Sequence, residues 1–201
     1  MKLYSSFISP FGRKCMILAR LHGLDVDEQD VSADGANGYT GGINPVGKIP
    51  ALVRPDSPYV MGESHIICEY FDTITTRPKL LPNRGEARWT QMRYHALGNS
   101  IADCAYEIRY ETVRPQELHW EHIIARQETA LRTIVGALER EADALGGPWQ
   151  WGNLAIVTAL DYADYRAGHI DWRALAPKLA AWHKQFENDP IWQETYAYPK
   201  A

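Results

Sequence analysis

The hydrophobic rhythm of the chain changes near residue 80. Before that point short apolar runs alternate with turn residues; after it, apolar positions recur at helical spacing. Lys2 to Phe7 reads as a strand. Ser9 then stands as a helix N-cap with Pro10 at the first helical position, and the helix runs through Arg13 to Leu21 and stops at Gly23. Its apolar residues Phe11, Cys15, Ile17, Leu18 and Leu21 occupy more than one face, which predicts burial. A second strand covers about Asp25 to Val31, and the glycine-rich stretch Asp34 to Asn44 reads as a loop. Pro50 to Arg54 and Tyr59 to Met61 are expected to form two short strands around the turn Pro55-Asp56-Ser57-Pro58. Ser64 is expected to cap a helix through Ile66, Ile67, Tyr70 and Phe71.

Thr76 to Gly85 holds two prolines and a glycine and makes the best linker, which predicts domains at residues 1–77 and 85–201. Beyond it the pattern is helix after helix. Leu131, Ile134, Val135, Leu138, Ala142 and Leu145 fall at helical spacing, and Leu154 to Tyr165 is apolar nearly all round, as a helix central to a bundle should be. Trp172 to Phe186 gives another amphipathic helix. The two parts also differ in composition: seven of the twelve prolines lie at or before Pro82, and six of the seven tryptophans follow residue 119.

Charge and cysteine usage narrow the function. The 201 residues carry a net charge of −4 and contain no basic run, which argues against nucleic acid as a main partner. No apolar run approaches the roughly 18 residues of a membrane helix, and Met1 to Ser6 lacks the apolar core of a signal peptide, so a cytoplasmic protein is expected. Cys15, Cys68 and Cys104 form no Cys-x-x-Cys pair, which leaves no zinc ribbon and no dithiol motif; three buried thiols are expected. His119-x-x-His122 has the spacing of two metal ligands on one helical turn. It lacks an evident third ligand, and Glu117 and Glu121 make a solvated charged face the better reading, so no metal is expected.

The chemistry concentrates in three short pieces. Ser9-Pro10-Phe11-Gly12-Arg13-Lys14 lies between strand and helix, Asn44-Pro45-Val46-Gly47-Lys48-Ile49-Pro50 precedes a strand, and Gly62-Glu63-Ser64-His65-Ile66-Ile67-Cys68-Glu69-Tyr70 opens a helix. Ser9 sits where the unpaired N–H groups and dipole of a helix favour an anion, although a serine there can simply cap. Ser64 and its helix N-terminus suit a carboxylate, and Glu63 suits an ammonium; a capping serine beside a dipole-complementing acid is the plainer alternative. Lys48 is either an anion contact or a solvated surface lysine.

In this order, and followed by a helical half, the three pieces resemble the soluble glutathione transferases, in particular bacterial members with a serine in the first motif. The resemblance implies an α/β thioredoxin-like N-terminal domain (βαβ-ββα) and an all-α helical-bundle C-terminal domain. It implies that Ser9 is catalytic, its hydroxyl donated to the glutathione sulfur. It implies a glutathione site of Ser9, Phe11, Lys48, Ile49, Pro50, Glu63 and Ser64. In that site a cis Ile49–Pro50 bond presents the Ile49 backbone to the cysteinyl part, Lys48 meets the glycine carboxylate, Ser64 the γ-glutamyl carboxylate and Glu63 its ammonium. Tyr106, at helical spacing with Asp103 and Tyr110, becomes a candidate for the pocket of a small hydrophobic electrophile. Glutathione enters as co-substrate with no further cofactor, and a homodimer is expected. The activity implied is conjugation of glutathione to electrophiles; a glutathione-dependent isomerase or reductase, or a non-catalytic module on the same scaffold, are the alternatives. Without thiols in Ser9-Pro10-Phe11-Gly12, disulfide exchange is disfavoured as the main activity. One departure stands out. The family often opens the central helix of its second domain with a Ser/Thr-x-x-Asp capping box, where this chain has Gln150-Trp151-Gly152-Asn153. Gln150 is a poor cap, so Asn153 is expected to cap a helix starting at Leu154.

Overall fold

A computed structural model describes residues 1–31 and 43–198. Its elements are β1 (Lys2–Ser5), α1 (Pro10–His22), β2 (Asp27–Asp30), β3 (Ala51–Val53), α2 (Ser64–Ile74), α3 (Glu86–Thr112), α4 (Glu121–Arg140), α5 (Trp151–Arg166), α6 (Trp172–Leu175), α7 (Pro177–Lys184) and α8 (Pro190–Thr195), with short 3-10 turns at Gln116–Leu118 and Ala142–Ala144. They form two compact units. The first holds Met1–Asn83 and Pro190–Ala197; the second holds Arg84–Asp189 and Tyr198. The expected glycine-rich loop lies almost wholly outside the described residues.

In the first unit three strands stand in the order β2-β1-β3. β2 runs parallel to β1, with Leu3 opposite Glu28, and β3 runs antiparallel, with Leu3 opposite Leu52. This is the expected βαβ-ββα order, with one correction. The strand expected over Tyr59 to Met61 is a single antiparallel bridge between Leu52 and Met61, closed by two backbone hydrogen bonds of 2.8 and 3.0 Å. Pro58 has no N–H to give a ladder, and the N–H of Tyr59 goes to the Ser57 hydroxyl instead. β1 ends at Ser5 rather than Phe7 because the Ser6 carbonyl accepts from the N–H of Ser9, which turns the chain toward α1.

α1 forms where its ends are encoded. Ser9 caps it, Pro10 opens it, and Gly23 closes it at φ 63° with paired bonds from Gly23 N to Arg20 O and from Leu24 N to Ala19 O. Leu3, Cys15, Ile17, Leu18, Leu52, Ile67 and Phe71 are fully buried and fill the space between the sheet, α1 and α2. The two helices are also tied by a buried 2.8 Å contact between His22 Nε2 and Asp72 Oδ1. The same carboxylate accepts from the N–H groups of Leu80 and Leu81, which fixes the chain leaving α2. α8 joins this unit through Arg13. That guanidinium is fully buried, lies 5.4 and 5.2 Å from the rings of Trp192 and Tyr196, and donates to the Trp192 carbonyl.

The second unit is a bundle in which α5 is buried on every side from Trp151 to Ala163. α3 and α5 approach closely at Gly98, where an added Cβ would stand 2.4 Å from the Ala155 carbonyl carbon. The start of α5 corrects the sequence-based expectation. The helix begins at Trp151, and Asn153 lies inside it, donating to the carbonyls of Leu145 and Pro148. Its N-cap residue Gln150 makes no side-chain cap. The cap comes from α3 instead. Gln91 Oε1 accepts from the N–H of Gly152 at 2.8 Å, while Gln91 Nε2 donates to Gln150 Oε1 at 2.6 Å. Below them Asp161 and His183 form a second buried contact of 2.8 Å, joining α5 to α7. No helix among the described residues is long and apolar enough to cross a membrane.

Candidate functional site

Ser9 occupies the N-cap of α1 at φ −79°, ψ 122°, and its Oγ accepts from the N–H of Gly12 at 3.4 Å. The hydroxyl therefore caps with its lone pairs, and its own proton meets no acceptor among the described residues. The first turn of α1 lies tight against β1: a Cβ at Gly12 would collide with the Ser5 side chain. Phe11 is half-buried on that turn, with the Lys14 ammonium 5.6 Å from its ring centroid.

The second motif turns around Asn44, a buried residue. Its carboxamide donates to the Lys48 carbonyl at 2.7 Å and accepts from the Val46 N–H at 3.2 Å, while its own carbonyl accepts from Gly47. The Lys48 side chain is exposed, Ile49 is half-buried, and Pro50 is buried with the Ile49–Pro50 bond cis, as expected. Asn44 also reaches the third motif, since a Cβ on Gly62 would stand 3.2 Å from its Nδ2.

In the third motif Ser64 is not the cap. Glu63 is the N-cap of α2, and Ser64 is the first helical residue and buried. The reason lies in the backbone of Glu63, whose φ of 61° makes it the one non-glycine residue among those described with positive φ. Such a conformation is sparsely populated for a residue with a Cβ and tends to gather at functional sites. The Glu63 side chain is exposed and makes no cap hydrogen bond, so the first N–H groups of α2 are left without a side-chain partner from it.

Cys15 links the first and third motifs. Its thiol lies 3.3 Å from the Phe11 carbonyl and 3.5 Å from the Ser64 carbonyl, and 3.7 Å from the thiol of Cys68. Burial, and next the neighbouring Cys68, push the Cys15 thiol well above its ordinary value, so it stays a neutral donor between two helix N-termini. All three cysteines are buried, as expected. Pattern reading passed over both Cys15 and Asn44 as connectors. Asn44 was visible as the first residue of its motif, whereas nothing in the spacing marks Cys15.

The structure thus brings Ser9, Phe11, Lys48, Ile49, Pro50, Glu63 and Ser64 onto one unit. It offers two helix N-termini toward negative charge, one hydroxyl donor, an exposed lysine and an exposed carboxylate. Tyr106 belongs to the second unit, part-exposed, with its ring 4.2 Å from that of Tyr110. His119 Nε2 donates to the Arg114 carbonyl at 2.9 Å, and among the described residues no group of three His, Cys, Asp or Glu could hold a metal ion.

Comparison with known proteins identifies this arrangement. Residues 8–74 match the glutathione S-transferase N-terminal domain, and residues 121–185 match the glutathione S-transferase C-terminal domain. The chain is 30% identical over 200 residues to the probable glutathione S-transferase GSTU1 of Oryza sativa subsp. japonica, covering 91% of this chain and 83% of the relative. It is 26% identical to the uncharacterized GST-like protein YibF of Escherichia coli, covering 89% and 90%. Among solved structures it superposes on a glutathione transferase family member from Pseudomonas fluorescens Pf-5 with bound glutathione, at a TM-score of 0.89 and 30% identity, covering 100% of this chain and 99% of the other. With both of its domains matched in order, the chain belongs to the glutathione S-transferase family.

Proposed function

We propose that this protein is a glutathione transferase, which binds glutathione on its first unit and holds the thiol as a thiolate for attack on a small electrophile. The observation that carries the reading is the state of the Ser9 hydroxyl: it accepts from Gly12 and keeps its proton to donate, at the N-terminus of α1. The Pseudomonas relative binds glutathione in the same fold, which supports the same ligand here.

The energetics are sufficient without a general base. An ordinary thiol has a pKa of about 8.5, and lowering it by about two units requires roughly 2.7 kcal/mol of preference for the thiolate. One hydrogen bond to a charged group supplies roughly 1.5–3 kcal/mol. A helix N-terminus adds about 0.3–1 kcal/mol. The remaining contacts position the tripeptide. Lys48 takes the glycine carboxylate, the Ile49 backbone the cysteinyl part, Glu63 the γ-glutamyl ammonium, and Ser64 with the α2 N-terminus the γ-glutamyl carboxylate. The thiolate sulfur forms a bond to the electrophilic carbon, the leaving group departs from that carbon with its electron pair, and the thiol proton passes to water.

Retention on immobilised glutathione, followed by an aryl halide conjugation assay, tests the reading. Binding with turnover is expected. Failure to bind refutes it, and binding without turnover on any halide favours a non-catalytic module. The homodimer belongs to the same proposal, and light scattering at micromolar concentration reads it directly against the 22.8 kDa chain.

A further inference from the structure

Six side chains of the second unit form a cluster that the glutathione site does not use. Tyr106 and Tyr110 lie along the outer half of α3 with their rings 4.2 Å apart, and both are exposed beyond a third of their surface. Tyr162, Tyr165 and Arg166 stand at the end of α5. Tyr198 packs its ring 5.3 Å from that of Tyr165 and 6.3 Å from that of Tyr162. The Arg166 guanidinium lies against this wall, 4.1 Å from the Tyr165 ring centroid and 5.8 Å from that of Tyr162.

Two features set the cluster apart from ordinary aromatic packing. The first is that Arg166 Nε is buried and has no hydrogen-bond partner among the described residues. A buried guanidinium N–H without an acceptor is costly, and such groups in native proteins call for a reason. The acids of the same helix are committed elsewhere: Asp164 pairs with Arg173 and Asp161 with His183. Arg166 joins neither pair, and among the described residues no acid forms an ion pair with it; its guanidinium lies against the rings of Tyr165 and Tyr162. The second feature is the Tyr162 hydroxyl. It lies beside the Arg166 guanidinium, and burial, its largest influence, holds the phenol above its ordinary pKa against the lowering effect of that cation. The phenol therefore stays neutral and carries a proton that it can donate. The Tyr110 and Tyr165 hydroxyls lie close enough to act on it electrostatically. The polar atoms gathered here are thus donors beside exposed aromatic faces.

We infer that the cluster of Tyr106, Tyr110, Tyr162, Tyr165, Arg166 and Tyr198 binds an aromatic carboxylate, with Arg166 and Tyr162 donating to the carboxylate and the tyrosine faces stacking on the ring. The inference rests on the transferase reading and deepens it, since it assigns the second substrate to anionic aryl electrophiles rather than neutral hydrophobic ones. A carboxylate balances the guanidinium charge, and an offset-stacked ring covers the exposed faces.

The test is a calorimetric titration of the intact protein, without glutathione, using 4-nitrobenzoate and its methyl ester as probes. The acid should bind at least roughly tenfold more tightly than the ester, the effect of one hydrogen-bonded charge pair. Arg166→Met should erase that preference with circular dichroism unchanged, and Arg166→Lys should keep part of it because the charge remains while the planar fork is lost. No binding of the acid, equal affinity for acid and ester, or an undiminished preference in Arg166→Met overturns the inference. Because these probes need no thiol, the two readings fail separately. Loss of glutathione binding refutes the transferase reading and leaves the acid preference standing; equal affinity for acid and ester does the reverse.

Discussion

The carboxamide of Asn44 donates from Nδ2 to the carbonyl of Lys48 across 2.7 Å, and the same Nδ2 lies beside Gly62. One buried side chain thus holds the turn before Ile49–Pro50 against the turn before Glu63 and Ser64. Asn44→Ala removes two hydrogen bonds from a buried position and should cost about 1–3 kcal/mol in urea denaturation. It should also weaken glutathione binding, because it releases the two turns that carry Lys48, Ile49, Glu63 and Ser64. Calorimetry on the folded variant checks this, and an affinity equal to wild type would show that the turns are held by something else.

Glu63 pairs strain with proposed binding. Glycine adopts positive φ at no steric cost, so Glu63→Gly should relieve about 1 kcal/mol and raise the denaturation midpoint. It also deletes the carboxylate proposed to meet the γ-glutamyl ammonium, so glutathione affinity should fall roughly ten- to a hundredfold. A variant that is stabilised and still binds normally would remove Glu63 from the site.

The start of α5 depends on a residue of α3. Gln91→Ala should cost about 1–2 kcal/mol, the usual cost of losing an N-cap. Gln150→Ser in that background supplies a local cap for Gly152 and should recover part of the loss. In the wild-type background the same change breaks the 2.6 Å bond to Gln91 and should not stabilise. The two changes are therefore expected to couple by about 0.5 kcal/mol or more. Strict additivity in chemical denaturation would mean that Gln91 does not act as the cap.

These residues also mark how far the sequence was legible. Both ends of α1 could be read because Ser9, Pro10 and Gly23 encode them locally. The start of α5 could not, since its cap is supplied from 61 residues away and Gln150 and Asn153 carry no trace of it. The three site motifs were visible as residue types at fixed spacing. What joins them was not: Cys15 and Asn44 act through contacts between elements, which a linear pattern does not record. Ser64 was misplaced by one position because a glutamate gives no local sign of positive φ. The strand after Pro58 shrank to one bridge because the proline and the Ser57 hydroxyl redirect the donors that a ladder needs.

Burial, and secondarily the charge of Asp103, pushes the Cys104 thiol up to about 11. An unfolded cysteine titrates near about 8.5. Between those values the folded chain keeps a proton that the unfolded chain loses, so stability is intact below the lower value and falls as pH rises toward the higher one. Cys15, also raised, acts in the same direction. Denaturation midpoints measured from about pH 8 to 11 should decline in wild type and decline less steeply in Cys104→Ala. Identical slopes would place Cys104 in a more solvated setting than the structure gives it.

The central claim is that Ser9 stabilises a glutathione thiolate. It is read most directly by following the ultraviolet absorbance of the bound thiolate against pH, in wild type and in Ser9→Ala, at saturating glutathione. The wild-type complex should titrate about two units below an ordinary thiol of pKa about 8.5. In Ser9→Ala the midpoint should move most of the way back, leaving only the smaller contribution of the α1 N-terminus, while glutathione affinity stays within a few-fold. An unshifted midpoint in wild type, or the same midpoint in both proteins, would leave Ser9 as a helix cap and contradict the mechanism.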